Sequence, residues 1–170
     1  MKTKSISSES NAIIKHIKSL RLRKQRTKNR QFVIEGVRIT EECLKHGGRI
    51  EYVVYNKGLH NVQGGANLLN RLSKRGYAIY EVPGPLFNKI ATTENPQGIM
   101  AVVNMKNITL EDLKLKDDKG LFFVILDRVQ DPGNMGTIIR TSESANIDAI
   151  IITGGSVDPY NDKVLRATMG

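Results

Sequence analysis

The residues best suited to chemistry lie in one stretch, Asp131-Pro132-Gly133-Asn134-Met135-Gly136-Thr137-Ile138-Ile139-Arg140. It follows an apolar run and leads into a helical pattern. It therefore reads as a loop at the carboxyl edge of a parallel sheet, where ligands of open α/β folds bind. Gly133 and Gly136 permit close backbone approach. Asn134 carries both a donor and an acceptor. Arg140 follows about one and a half turns later. A guanidinium held near apolar walls clamps a phosphate or a forming alkoxide. The stretch is neither a GxGxxG fingerprint nor a Walker loop. On spacing alone, the two glycines fit a tight β-α turn as well as a binding site, and Arg140 fits a pairing with an acidic residue equally well.

A second candidate is electrostatic. The 170-residue chain has a net charge of +9. Residues 1–60 hold 14 Lys and Arg against 5 Asp and Glu, whereas residues 61–170 hold 12 against 12. Eight basic residues fall between positions 15 and 30, with no acidic residue among them: Lys15, Lys18, Arg21, Arg23, Lys24, Arg26, Lys28 and Arg30. Such a surface gains free energy by displacing counterions from a phosphate backbone, so the expected partner is nucleic acid. A basic membrane anchor is disfavoured, because no bulky aromatics accompany the charge. Near the other end, Lys163 and Arg166 are three apart and share a helix face, in a segment that reads equally as an ordinary amphipathic helix.

Other chemistries are excluded. The single cysteine, Cys43, cannot form an internal disulfide and reads as a buried, inert thiol. His16, His46 and His60 are scattered and read as surface or loop residues, so no metal site is expected. There is no secretory signal at the start and no apolar run long enough to cross a bilayer, so the expectation is a cytoplasmic protein without membrane contact.

Two groups of elements must position these residues. Apolar spacing predicts a helix from 13 to 20, capped by Asn11, with the pattern running on through the basic residues to 30. Strands follow at 32–34, 50–55, 77–82 and 98–105, and helices at 37–45, 67–75 and 86–90. Strands alternating with helices give an α/β sandwich over residues 1–105. Residues 106–120 are polar and read as a linker with a short helix at 110–113. The run at 121–126 reads as a strand buried on both faces. A helix over 134–146 and a second buried strand over 148–153 complete a parallel β-α-β unit with a right-handed crossover, and a further helix follows at 162–168.

The segment from Asn134 to Gly170 resembles the opening of a SpoU-type (SPOUT superfamily, TrmH-like) methyltransferase domain. Asn134, Gly136 and Arg140 match that family's N-x-G-x-x-x-R motif, and Lys163, Arg166, Thr168 and Gly170 match its next one. The first part resembles the family's RNA substrate-binding domain, itself similar to small ribosomal proteins. FVIEG (32–36), Arg38 close behind, and TENPQGIMAVV (93–103) carry that likeness. The resemblance implies a SPOUT domain with a Rossmann-like parallel sheet and a trefoil knot. It also implies S-adenosylmethionine-dependent 2'-O-methylation of RNA, of large-subunit ribosomal RNA before transfer RNA, by a homodimer. Arg140 and Asn134 would then be catalytic. The basic residues of 15–30, with Arg38, Lys163 and Arg166, would hold RNA. Arginine stays protonated to above about pH 12, so its role would be to stabilise the alkoxide rather than to act as a base. The family's later motifs, which form most of the cofactor pocket, have no counterpart up to Gly170. The expectations are therefore no cofactor-binding residue in this chain and a truncated, inactive catalytic domain. A non-catalytic RNA-binding module is the alternative, and a nucleotide-binding Rossmann enzyme is a weaker third.

Overall fold

The computed structural model describes residues 3–106, 108–109, 113 and 121–168. The chain divides into two compact units, one ending at Met105 and the other beginning at Lys106. Apart from Lys106, Ile108, Thr109 and Leu113, the expected linker and its short helix lie outside the described residues.

The first unit is a five-stranded sheet between two layers of helices. Its strands are β1 (Thr3–Ser5), β2 (Gln31–Glu35), β3 (Arg49–Tyr55), β4 (Ala78–Glu81) and β5 (Ile99–Asn104), in the order β1-β4-β3-β5-β2. β1, β4 and β3 run parallel, and β5 is antiparallel to both β3 and β2. The helices are α1 (Ala12–Ser19), α2 (Arg23–Asn29), α3 (Val37–Lys45), α4 (Gly65–Lys74) and α5 (Gly84–Ile90), with a 3-10 turn at Lys57–Asn61. On one face, Ile14, Ile17 and Leu20 pack with Phe87 and Ile90 over Tyr52, Val54, Met100 and Val102. The alternate strand residues Val53, Tyr55, Ala101 and Val103 are buried as well. Strand side chains alternate between faces. The second face is therefore the one that α3 covers through its contacts with β2, β3 and β5, with α4 beside it.

Most expected elements are present, and the differences have causes. The basic helix does not run through to 30. It breaks after α1, and α2 starts afresh behind Leu22, whose backbone is extended. β1 is three polar residues with no apolar signal; pairing with β4 makes it a strand. His16 is neither a loop nor a surface residue: it is half-buried in α1, with Nδ1 2.8 Å from the Tyr52 hydroxyl. Burial pushes the Tyr52 phenol well above its ordinary range. Tyr55, which donates to Glu81 at 2.9 Å, is pushed up to about 12 by burial and then by that carboxylate. Cys43 is half-buried rather than buried, and desolvation raises its thiol pKa, which keeps it protonated and unreactive.

The second unit contains β6 (Phe123–Leu126) and β7 (Ala149–Ile152), paired in parallel from Phe123↔Ala149 to Leu126↔Ile152, with α6 (Pro132–Ser144) and α7 (Asp162–Ala167). Met135 and Val164 pack with Leu126, and Val124, Ile150 and Ile152 join them. The expectation of strands buried on both faces is not met. Phe123 and Ile125 are 42% and 60% exposed, and β7 is half-buried throughout. The packed cluster lies on one side of the pair, and the other side is open at Phe123 and Ile125. α6 ends at Ser144, two residues before the expected 146, and its C-cap Ala145 is exposed.

Candidate functional site

In the second unit, Asp131 caps α6 by accepting from the Asn134 amide at 2.7 Å, with Pro132 in the first helical turn. Pro132 supplies a preset φ where no amide is needed. Asn134 itself is exposed. Gly136 is buried. A Cβ there would lie 2.4 Å from Cβ of Ala167 and 3.0 Å from the Val164 carbonyl oxygen. The close approach this glycine permits is thus between helices α6 and α7. Arg140, one turn further along the same face, is exposed and reaches the Ala167 carbonyl at 3.4 Å, a long contact. Asn134 is rotated about 120° from Arg140 around the helix. Both are held on α6, but they do not share a face.

The carboxyl ends of the two parallel strands are tied together: Thr153 Oγ1 donates to Asp127 at 2.6 Å, and the Val157 amide to the Val129 carbonyl at 2.8 Å. Arg128 lies between them in the left-handed region at φ 52°. On α7, Lys163 and Arg166 are exposed on the side away from buried Val164, and Arg166 pairs with Asp162 at 2.9 Å.

In the first unit, Lys15, Arg21, Arg23, Lys24, Lys28, Arg30 and Arg38 are exposed. Arg26 is different. It is 5% exposed, and its Nη1 donates to the carbonyls of Leu20 at 2.9 Å and Arg21 at 2.7 Å. It holds the corner between α1 and α2, because carbonyls left open at a helix end need donors. Its expected place on the RNA-facing surface is corrected accordingly. The basic stretch also has an acidic neighbour that its own sequence lacks: Glu9, ahead of α1, binds Lys18 at 3.0 Å and also Lys89. Arg21 donates to the carbonyls of Lys89 and Ala91, at the end of α5. From there the loop into β5 meets the FVIEG segment. Glu35 accepts from the Thr92 amide at 2.7 Å and from the Thr93 hydroxyl, and Gln97 accepts from the Val37 amide at 2.8 Å. The two motifs that carried the first-unit resemblance therefore bind each other, with Arg38 in the adjoining first turn of α3.

Two family models tile the chain: the MRM3-like substrate binding domain over residues 11–101, and the SpoU rRNA Methylase family over residues 121–170. The chain belongs to the MRM3-like substrate binding domain family, and its last 50 residues match the SpoU rRNA Methylase family. It is 34% identical, over 98% of its length, to the 23S rRNA (guanosine(2553)-2'-O)-methyltransferase RlmP of Bacillus subtilis, and it covers 61% of that protein. An AdoMet-bound rRNA methyltransferase from Sinorhizobium meliloti superposes with a TM-score of 0.82 at 33% identity, over 99% of this chain and 61% of that one. The SpoU methyltransferase AviRb from Streptomyces viridochromogenes, in complex with AdoMet, superposes with a TM-score of 0.76 at 25% identity, over 94% of this chain and 58% of that one. The chain thus spans about three-fifths of the length of the relatives it matches.

The groove beside α6 does not by itself fit a methyl donor such as S-adenosylmethionine. It is open, about 280 Å³ in volume, and lined by Val124, Thr137, Ile138, Thr141, Ala145 and Ile147, together with Ser142. Those groups are alkyl and hydroxyl. S-adenosylmethionine carries a sulfonium, an ammonium and a carboxylate, and nothing in this lining answers those charges. Among the described residues no group of His, Cys, Asp and Glu could hold a metal ion, and no helix is long and apolar enough to cross a membrane.

Proposed function

We propose that the protein carrying this chain transfers a methyl group from S-adenosylmethionine to a ribose 2'-hydroxyl of large-subunit ribosomal RNA. The first unit grips the RNA and α6 presents Arg140 to the reacting ribose. The donor is seated by residues outside those described, and a homodimer in the cytoplasm belongs to the same reading. The observation that carries it is Arg140. It stands exposed on α6, and among the described residues its guanidinium meets no carboxylate, so its charge is available to a substrate anion. A fixed positive charge beside a forming alkoxide stabilises the transition state without moving a proton. Asn134, about 120° round α6 from Arg140, would meet the RNA at the helix start rather than beside the guanidinium, and Lys163 and Arg166 would hold the neighbouring phosphates.

The test is Arg140→Ala in the full-length protein. Removing one such electrostatic partner should slow methyl transfer by about 100-fold or more, and the Kd for RNA should stay within about twofold, because affinity comes from the first unit. Normal turnover by that variant would remove Arg140 from the mechanism. A second reading, an RNA-binding module without catalysis, is favoured by the groove beside α6, whose alkyl and hydroxyl lining offers no charge to the donor. It predicts RNA binding by this chain with no retention of labelled S-adenosylmethionine, and no methylated ribose formed by the full-length protein.

A further inference from the structure

Glu9 bridges two ammonium groups from distant parts of the chain, Lys18 of α1 at 3.0 Å and Lys89 of α5. All three groups are open to solvent, at 46% exposed for Glu9, 36% for Lys18 and 60% for Lys89. The two ammonium groups hold the Glu9 carboxyl below the usual carboxylate range. Exposed ion pairs of this kind add little to stability, so folding does not explain the arrangement. Arg21 lies alongside, its guanidinium on the Lys89 and Ala91 carbonyls. Two cations converging on a pair of anionic oxygens would bind the two free oxygens of a phosphodiester in the same way.

We propose that Lys89 forms part of the RNA-binding surface with Lys18 and Arg21, and that Glu9 occupies a backbone-phosphate position which it gives up when RNA docks. This rests on the RNA-binding reading above. It adds a named phosphate position, a cation from outside the basic stretch, and a built-in competitor. The competitor lowers affinity for any polyanion that does not also engage the rest of the surface, so it favours RNA of matching shape over chance contacts.

The experiment measures binding of a fluorescent hairpin RNA to the whole chain across a salt series. Glu9→Gln should bind about three- to tenfold tighter at low salt, with a dependence on log salt steeper by up to about one, since no displaced carboxylate is left to take up a cation when RNA docks. Lys89→Ala should bind about threefold more weakly. Glu9→Asp, which keeps the charge, should behave like the wild type. In a Lys18→Ala/Lys89→Ala background, Glu9→Gln should leave the salt slope unchanged, because the phosphate position is gone. If the slope steepens equally without the lysines, Glu9 acts only by general repulsion and the proposal is wrong. It is also wrong if Glu9→Gln matches a wild type that binds RNA well. If the wild type binds no RNA, the functional reading itself fails, and this proposal with it.

Discussion

Gly136 and Arg140 lie one turn apart on α6, so the stripe that meets α7 ends at the guanidinium. The sign of a single substitution tests that contact. In an open helix, Gly→Ala raises stability by up to about 1 kcal/mol, because alanine is the better helix former. At Gly136 the added methyl would lie 2.4 Å from the Ala167 side chain and 2.9 Å from its carbonyl carbon. Neither helix can yield without shifting backbone, so Gly136→Ala should cost about 1–3 kcal/mol in urea unfolding. A gain in stability would mean that α7 does not cross there. The residue types pointed to this stretch from the sequence alone, but the job of the glycine was not legible. A glycine spacing shows that something comes close, and only the fold shows that it is a helix. Arg26 is similar: in sequence it is one of eight cations, and its burial depends on a turn between α1 and α2 that the basic pattern hides.

Among the elements, β6 carries the sharpest contrast between neighbours. Leu126 is 5% exposed inside the packed cluster, whereas Ile125 points to the uncovered side. Leu126→Ala should therefore cost about 2–5 kcal/mol. Ile125→Thr should change stability by no more than about 0.5 kcal/mol, as surface substitutions do. Equal costs in denaturant titration would mean that the outer face of the strand is packed. The sequence identified β6 as a strand but not its covering, since a short apolar run looks the same whether one face or both are buried. α3 was readable end to end, because its amphipathic spacing stops at Gly47, whose φ of 68° suits glycine. β1 was not readable: its identity comes from Thr3↔Ile79 pairing, far away in sequence. The Glu9–Lys89 pair was hidden for the same reason, its partners being 80 residues apart.

Across the whole molecule, the excess charge and the proposed chemistry fall in different units. Up to residue 105 there are 18 Lys and Arg against 7 Asp and Glu, and after it 8 against 10. Counterion release scales with the number of phosphates neutralised, so RNA affinity and its salt dependence should reside almost wholly in the first unit. Changing Arg23, Lys24 and Lys28 together to Gln should lower the slope of log affinity against log salt by about two to three. Changing Lys163 and Arg166 to Gln should lower it by about one at most, because Arg166 is already paired with Asp162. Turnover should show the opposite pattern in the full-length protein. The first set should raise the RNA concentration needed for half-maximal rate, and saturating RNA should restore the rate, since contacts made equally in ground and transition state affect KM alone. The second set, together with Arg140, should lower the rate even at saturation. If the α7 pair instead removed most of the salt slope while the α2 set left it intact, the grip would belong to the second unit, and the division of labour between the units would be reversed.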